Sequence, residues 1–388
     1  MSKRIFYVAV LLTLLLTYGC TPAQTPEQEE TVQQEEPTPV PTEPSEPEET
    51  RDLRMVVGTF VLNVSYPFVN MPRALGYWED AGYDVSVEGV GSSTDAMQQM
   101  VAGNADLAEI GSTIIVQANV KEDLEVKNVH GTGMVDWGLA VPKDSDIESV
   151  EDLDGKSIGV FDLGSSGIPL LDFYLQDNGI DPENDIEKIP VGFGPQASTA
   201  LNRGDVDAVM LWNSALAQLE NLGHEFRIFR MEEWQQMPDF SLATMQSTFE
   251  EDRQMVVDIA RGMNKAIVFT RANPECVVKL QWKYWPDTKP ADVDEETAMQ
   301  HELNLLNAQM EVAVIRAYEY HGAELYGLAT EEEYSNLQQF MVDQGILENT
   351  VDPGTFIIQD ESYWEEINDF DHEAVRQQAE ACDFDFEE

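Results

Sequence analysis

Between residues 55 and 229 the chain alternates short apolar runs with amphipathic stretches. The runs at 55–59, 84–89, 107–110, 126–130, 138–141, 157–161, 186–191, 208–212 and 226–229 are rich in Val, Ile, Leu, Met and Phe, which predicts strands. Between them, 72–81, 94–102, 113–120, 167–178, 197–202 and 214–222 space apolar residues three and four apart, which predicts helices. Parallel neighbours need a crossover, usually a helix, so this alternation implies α/β architecture with parallel sheets. Beyond Phe249 the period is helical throughout, at 250–271, 275–285, 295–320 and 330–345.

The pattern also repeats. Gly89-Val90-Gly91 follows a strand and opens a helix that ends before Gly103-Asn104-Ala105-Asp106; Gly192-Phe193-Gly194 opens another that ends before Gly204-Asp205-Val206-Asp207. Two similar α/β lobes are the economical account. Ligands of open α/β sheets bind at the carboxyl ends of the strands, so the expected site is a cleft between the lobes.

The first fifty residues have a different character. Lys3 and Arg4 precede an apolar run over 5–16, and Gly19 precedes Cys20. That order reads as a secretory signal, too short for a bilayer span of about 20 residues. The string Leu16-Thr17-Tyr18-Gly19-Cys20 resembles a lipobox, whose Cys thiol is lipidated; an ordinary signal peptide cleaved elsewhere is the alternative. Residues 21–50 hold nine Glu, seven Pro, no Lys or Arg and no aromatic residue. Such a stretch cannot bury enough apolar surface to offset ordering entropy and reads as an extended tether. The expected organisation is a signal at 1–19, a lipidated Cys and tether at 20–50, lobe I beginning at 51–136, lobe II at 137–232, and a return to lobe I with a helical region at 233–388.

The chain's formal net charge is −51, and residues 51–388 alone carry −44. This excludes nucleic acid, which demands clustered Lys and Arg. A cationic ligand, a basic partner or a saline habitat would each suit the acidity; its even spread favours a surface adapted to salt, as in halophilic proteins. Cys276 and Cys382 remain in the body, and their spacing leaves pairing open.

Gly155-Lys156-Ser157 is not a P-loop, because position 150 is Val rather than Gly. Gly192 to Ala197 fits G-x-G-x-x-A, but no clear acidic ribose partner follows. No H-E-x-x-H, C-x-x-C or G-x-S-x-G occurs and the five His are scattered, so no catalytic residues, metal or cofactor are expected.

Ala74-Leu75-Gly76-Tyr77-Trp78, Gly82-Tyr83-Asp84-Val85, residues 100–106, 152–160 and 202–208, and a late stretch at 366–371 together resemble the NMT1/THI5-like solute-binding proteins of ABC importers. This branch includes binders of alkanesulfonates, taurine and thiamine-pyrimidine precursors. The resemblance implies a type II periplasmic-binding-protein-like fold with C-terminal helices packed on the first lobe. It implies a monomeric extracytoplasmic receptor, anchored to the cell membrane by lipid, that hands a small organic solute to an ABC permease and its ATPase. A pyrimidine-precursor synthase of the THI5 type and a signalling receptor without transport are the alternatives; the first carries a Cys-rich motif that this body lacks.

Ser/Thr-rich turns supply candidate contacts: Ser92, Ser93 and Thr94; Ser112 and Thr113; Ser165, Ser166 and Gly167. Each follows a strand and opens a helix, where free N–H groups and the dipole suit an anion or a polar carbonyl, although capping alone can explain such residues. Asn63 and Tyr66 after the first strand, Trp137 between the lobes, and Trp212 with Asn213 at a strand end complete the set. Helix ends suit a sulfonate or carboxylate and ring faces a heterocycle, so the ligand stays open between them.

Overall fold

The computed structural model describes residues 50–321 and 325–386. The proposed signal, Cys20 and the tether up to Glu49 lie outside the described residues.

Four strands of the first sheet come early: β1 (Arg51–Val57), β2 (Tyr83–Gly89), β3 (Leu107–Gly111) and β4 (Val126–Gly131). β1 pairs in parallel with β2, from Arg51 opposite Tyr83 to Val57 opposite Gly89, and on its other side with β3. Every residue of β3 is buried, as expected of a strand covered on both faces. The second sheet comprises β5 (Trp137–Pro142), β6 (Ser157–Val160), β7 (Glu187–Pro190), β8 (Ala208–Trp212) and β9 (Phe226–Phe229). Last comes β10 (Phe240–Met245), which returns to the first sheet and runs antiparallel between β3 and β4. The orders are β2-β1-β3-β10-β4 and β7-β6-β8-β5-β9. They are one plan used twice, with β5 taking in the second sheet the antiparallel place that β10 takes in the first.

Two segments therefore join the sheets, one between β4 and β5 and one between β9 and β10. They run side by side: Val135 N–H donates to Met237 O at 3.0 Å and Asp239 N–H to Gly133 O at 2.9 Å. Met134 and Pro238 bridge the same two segments.

Helices cover both sheets. The long helix Arg253–Ala272 buries a continuous face running from Met255 to Phe269, and Trp78 donates to its Ile259 carbonyl at 3.0 Å. The later chain is tied to β4, where Asn128 N–H donates to Phe356 O at 2.7 Å and Gly131 N–H to Gly327 O at 2.8 Å. Helix Glu295–Gln309 reaches the other side, against Asn213–Asn221, with Ser214 Oγ donating to Gln309 Oε1 at 3.0 Å. Cys276 and Cys382 form a disulfide. Among the described residues no helix is long and apolar enough to cross a membrane.

Candidate functional site

The strand ends that should bear a ligand converge. Gly58 follows β1, Phe161 follows β6 and Trp212 ends β8, and all three line one cavity of about 40 Å³ between the sheets. That is room for only a few water molecules. The sheets are shut on one another around it. Thr94 Oγ1 donates to Gly164 O at 2.8 Å and Thr113 Oγ1 to Ser166 O at 3.4 Å, each bond running from the first-sheet side to the second. Phe60 meets Phe161 at 5.4 Å between ring centroids. Gly111 leaves no space for a Cβ against the Ser166 side chain, so only glycine there permits so close an approach.

One wall is aromatic. Trp212 packs edge-on against Trp137 at 5.5 Å and Phe161 at 5.3 Å, while Tyr66 and Phe240 meet at 6.1 Å across the cavity. Gly167 opens its helix directly beneath the Trp137 ring and could not carry a side chain there.

The two crossing segments each bring one carboxylate to this cavity, Asp136 and Asp239, both 4 % exposed. Asp239 Oδ2 accepts from Trp137 Nε1 at 2.7 Å. Its Oδ1 has no hydrogen-bond partner, although the Ser166 hydroxyl stands near enough to favour the charged form. Asp136 Oδ2 accepts from the Asn213 N–H at 3.3 Å. Burial pushes Asp136 up to about 7, against the pull of Arg230. Burial, with the charge of Asp136 adding to it, pushes Asp239 up to about 8. Two acids in one desolvated space disfavour each other's ionisation. Among the described residues no Lys, Arg or His lines the cavity. Arg230 stands behind it, exposed, with its guanidinium on Asn213 Oδ1 and the Trp137 carbonyl.

The structure brings Tyr66, Ser93, Trp137, Ser165, Ser166 and Trp212 together around the cavity. The Ser165 hydroxyl is buried there without a partner. Thr94 and Thr113 clasp the second-sheet side, as described. Ser92 caps its helix in a reciprocal capping box with Asp95. The Ser112 hydroxyl is turned into the first sheet, bonded to Asp239 O, Ser241 and Tyr334. Asn213 is held by Arg230, and Asn63, whose side chain accepts from Ser65 N–H, lines a separate open groove. Sequence reasoning missed Gly58, Asp136, Phe161, Asp239, Phe240 and Gln309. The adjacent pairs Asp136-Trp137 and Asp239-Phe240, each in a polar-to-apolar step that starts a strand, were the available signal.

Comparison with known proteins agrees with this architecture. Residues 68–276 match the family described as NMT1/THI5 like. Among solved structures, a protein from Bordetella bronchiseptica superposes with a TM-score of 0.65 at 20% identity, covering 82% of this chain and 98% of its own. The periplasmic aliphatic sulphonate binding protein SsuA from Escherichia coli gives 0.57 at 17% identity, over 80% and 92%. The periplasmic nitrate-binding protein NrtA from Synechocystis gives 0.54 at 11%, over 85% and 88%. No curated protein matches the chain in sequence. The fold is the two-lobed, type II periplasmic-binding-protein-like one.

Proposed function

This chain belongs to the NMT1/THI5-like family, and from that premise we propose that it is a solute receptor of an ABC importer. Its two lobes close on a small organic molecule in the cavity between the sheets and present it to a membrane permease. Structural neighbours of the same fold are binding proteins for sulphonate and nitrate, which supports a solute-binding role. The observation that carries the reading is the shared cavity: hydroxyls and rings from both sheets line a closed space spanned by two crossing segments. A ligand touching both lobes favours the shut form by as much as it binds that form better.

In this reading Tyr66, Ser93, Trp137, Ser165, Ser166 and Trp212 contact the solute, with Thr94 and Thr113 holding the lobes closed. Ser92, Ser112, Gly167, Asn213 and Asn63 shape or support them. Cys20 anchors the receptor outside the cytoplasm through lipid, and the Pro/Glu-rich segment is its tether. A cavity this small must open to admit any organic solute, so capture and hinge motion are one event.

The test is a thermal-shift screen of heterocycles, sulfonates and amines, followed by calorimetric titration of the best hit. A solute at about 100 times its dissociation constant adds roughly 2.7 kcal/mol of stability. Trp212→Ala, which removes a wall of the cavity, should weaken that solute's binding about tenfold or more, each factor of ten being about 1.4 kcal/mol. Binding unchanged in Trp212→Ala would place the solute site elsewhere.

A further inference from the structure

The chemistry of the cavity bears on the charge of what fills it. Asp136 and Asp239 approach from the two crossing segments, and Asp239 Oδ1 and Ser165 Oγ are buried at its edge with no partner. Unpartnered buried acceptors are costly, which is a reason to expect that a donor occupies the site when it is filled. Among the described residues no cationic side chain lines the cavity to supply one. The remaining walls are the rings of Tyr66, Trp137, Phe161, Trp212 and Phe240, whose faces attract positive charge. Helices also open beside the cavity at Ser93, Gly167 and Asn213, but three partial positive charges of about half a unit each sum to less than the two negative charges of the ionised pair.

We infer that the solute is an organic cation, an alkylammonium or amidinium group held between Asp239 and Asp136 with its apolar part against the aromatic wall. The inference rests on the reading of the chain as a solute receptor and names the class of ligand for that same site. An anion such as a sulfonate could enter only with both acids protonated.

The titratable groups facing Asp136 are Asp239, Arg230 behind Asn213 and the Tyr66 phenol, with Glu109 beyond Tyr66. Tyr66 and Glu109 are themselves biased by burial toward their neutral forms, and Arg230 opposes the rise of Asp136. In the empty cavity burial keeps the acids partly protonated near neutral pH. A cation that ionises them on entry releases protons, and its affinity rises with pH. An anion releases none and binds more weakly as pH rises.

The probes are methylammonium, which carries N–H donors and stays cationic across the range used, and methanesulfonate, each titrated calorimetrically into the full-length protein at about pH 6 and about pH 9 at constant ionic strength. The expected result is methylammonium binding that tightens about tenfold or more across that range. In Asp239→Asn it should weaken by a similar factor and lose most of its pH dependence, while melting curves show that the variant folds. Surface attraction of cations by the acidic body would survive that substitution, so persistence of binding in Asp239→Asn overturns the inference. So does preference for methanesulfonate, an affinity flat in pH, or no binding of methylammonium up to about 50 mM, well past the weak millimolar range. If an anion or neutral solute binds and Trp212→Ala abolishes it, the receptor reading stands and only the charge assignment falls. If no solute of any charge binds, both fall.

Discussion

Glu109, fully buried on β3 beyond Tyr66, shows how the region near the site manages charge without ion pairs. Its Oε1 lies 2.5 Å from the Thr132 hydroxyl, Thr132 Oγ1 lies 3.3 Å from His130 Nδ1, and His130 Nε2 lies 2.8 Å from Asn264 Oδ1. Asn264 uses its NH₂ on the carbonyls of Tyr326 and Ile367, at 3.0 and 3.1 Å, so its Oδ1 must accept and His130 carries its proton on Nε2. The Thr132 hydroxyl donates to Glu109 Oε1, an interaction that favours the charged carboxylate. Burial drives both ends the same way, pushing Glu109 up to about 8 and His130 down to about 4. The folded state therefore holds the Glu109 proton more tightly than the unfolded chain does. This contribution to stability is full below the ordinary carboxylate value near 4.5 and is lost as pH rises through about 8. Glu109→Gln should remove that loss, flattening the decline in stability between pH 5 and 8 by up to roughly 1.4 kcal/mol per unit. Denaturant midpoints of the two proteins across that range decide it, and parallel pH profiles would show that Glu109 is ionised throughout. At this scale the aromatic and hydroxyl lining was legible, because ring residues and Ser turns at strand ends are scarce and positioned. Asp136 and Asp239 were not, since two acids among 73 carry no signal of their own.

At the scale of elements, nine strands follow from apolar runs and their echo, and β10 does not. Phe240–Met245 reads Phe-Ser-Leu-Ala-Thr-Met, in which buried Ser241, Ala243 and Thr244 dilute the apolar signature of a strand covered on both faces. What makes it a strand is tertiary: the slot between β3 and β4 is open, and the returning chain fills it. The disulfide was open in sequence for a similar reason. Cys276 begins helix Pro274–Tyr284 and Cys382 caps helix His372–Ala381, 106 residues on, and only packing of the later helices brings their Cα atoms to 5.9 Å. Closing a loop of that length restricts the unfolded chain, and losing such a bridge typically costs about 2–5 kcal/mol. Cys382→Ser, or reduction of the wild type, should lower the melting temperature by an amount of that order while leaving solute affinity within about twofold, because neither cysteine lines the cavity. A melting temperature indifferent to reductant would mean the bridge adds nothing to the folded protein.

For the whole molecule the governing number is the −44 carried by residues 51–388. Ion pairs such as Arg253 with Asp360 and Glu366, at 2.8 and 2.7 Å, are partly exposed and relieve little of it. Repulsion is least screened at low salt, where the Debye length is about 30 Å at 0.01 M, so the melting temperature should climb toward about 1 M NaCl. A flat or falling curve would contradict a surface adapted to salt. The central claim, though, is that two lobes of like topology close on a solute. Small-angle X-ray scattering tests it most directly, with the hit of the thermal-shift screen at saturation and without it. The account predicts a free protein more extended than the closed structure and a liganded one whose profile converges on it. Identical profiles with and without a solute that calorimetry shows to be bound would contradict it.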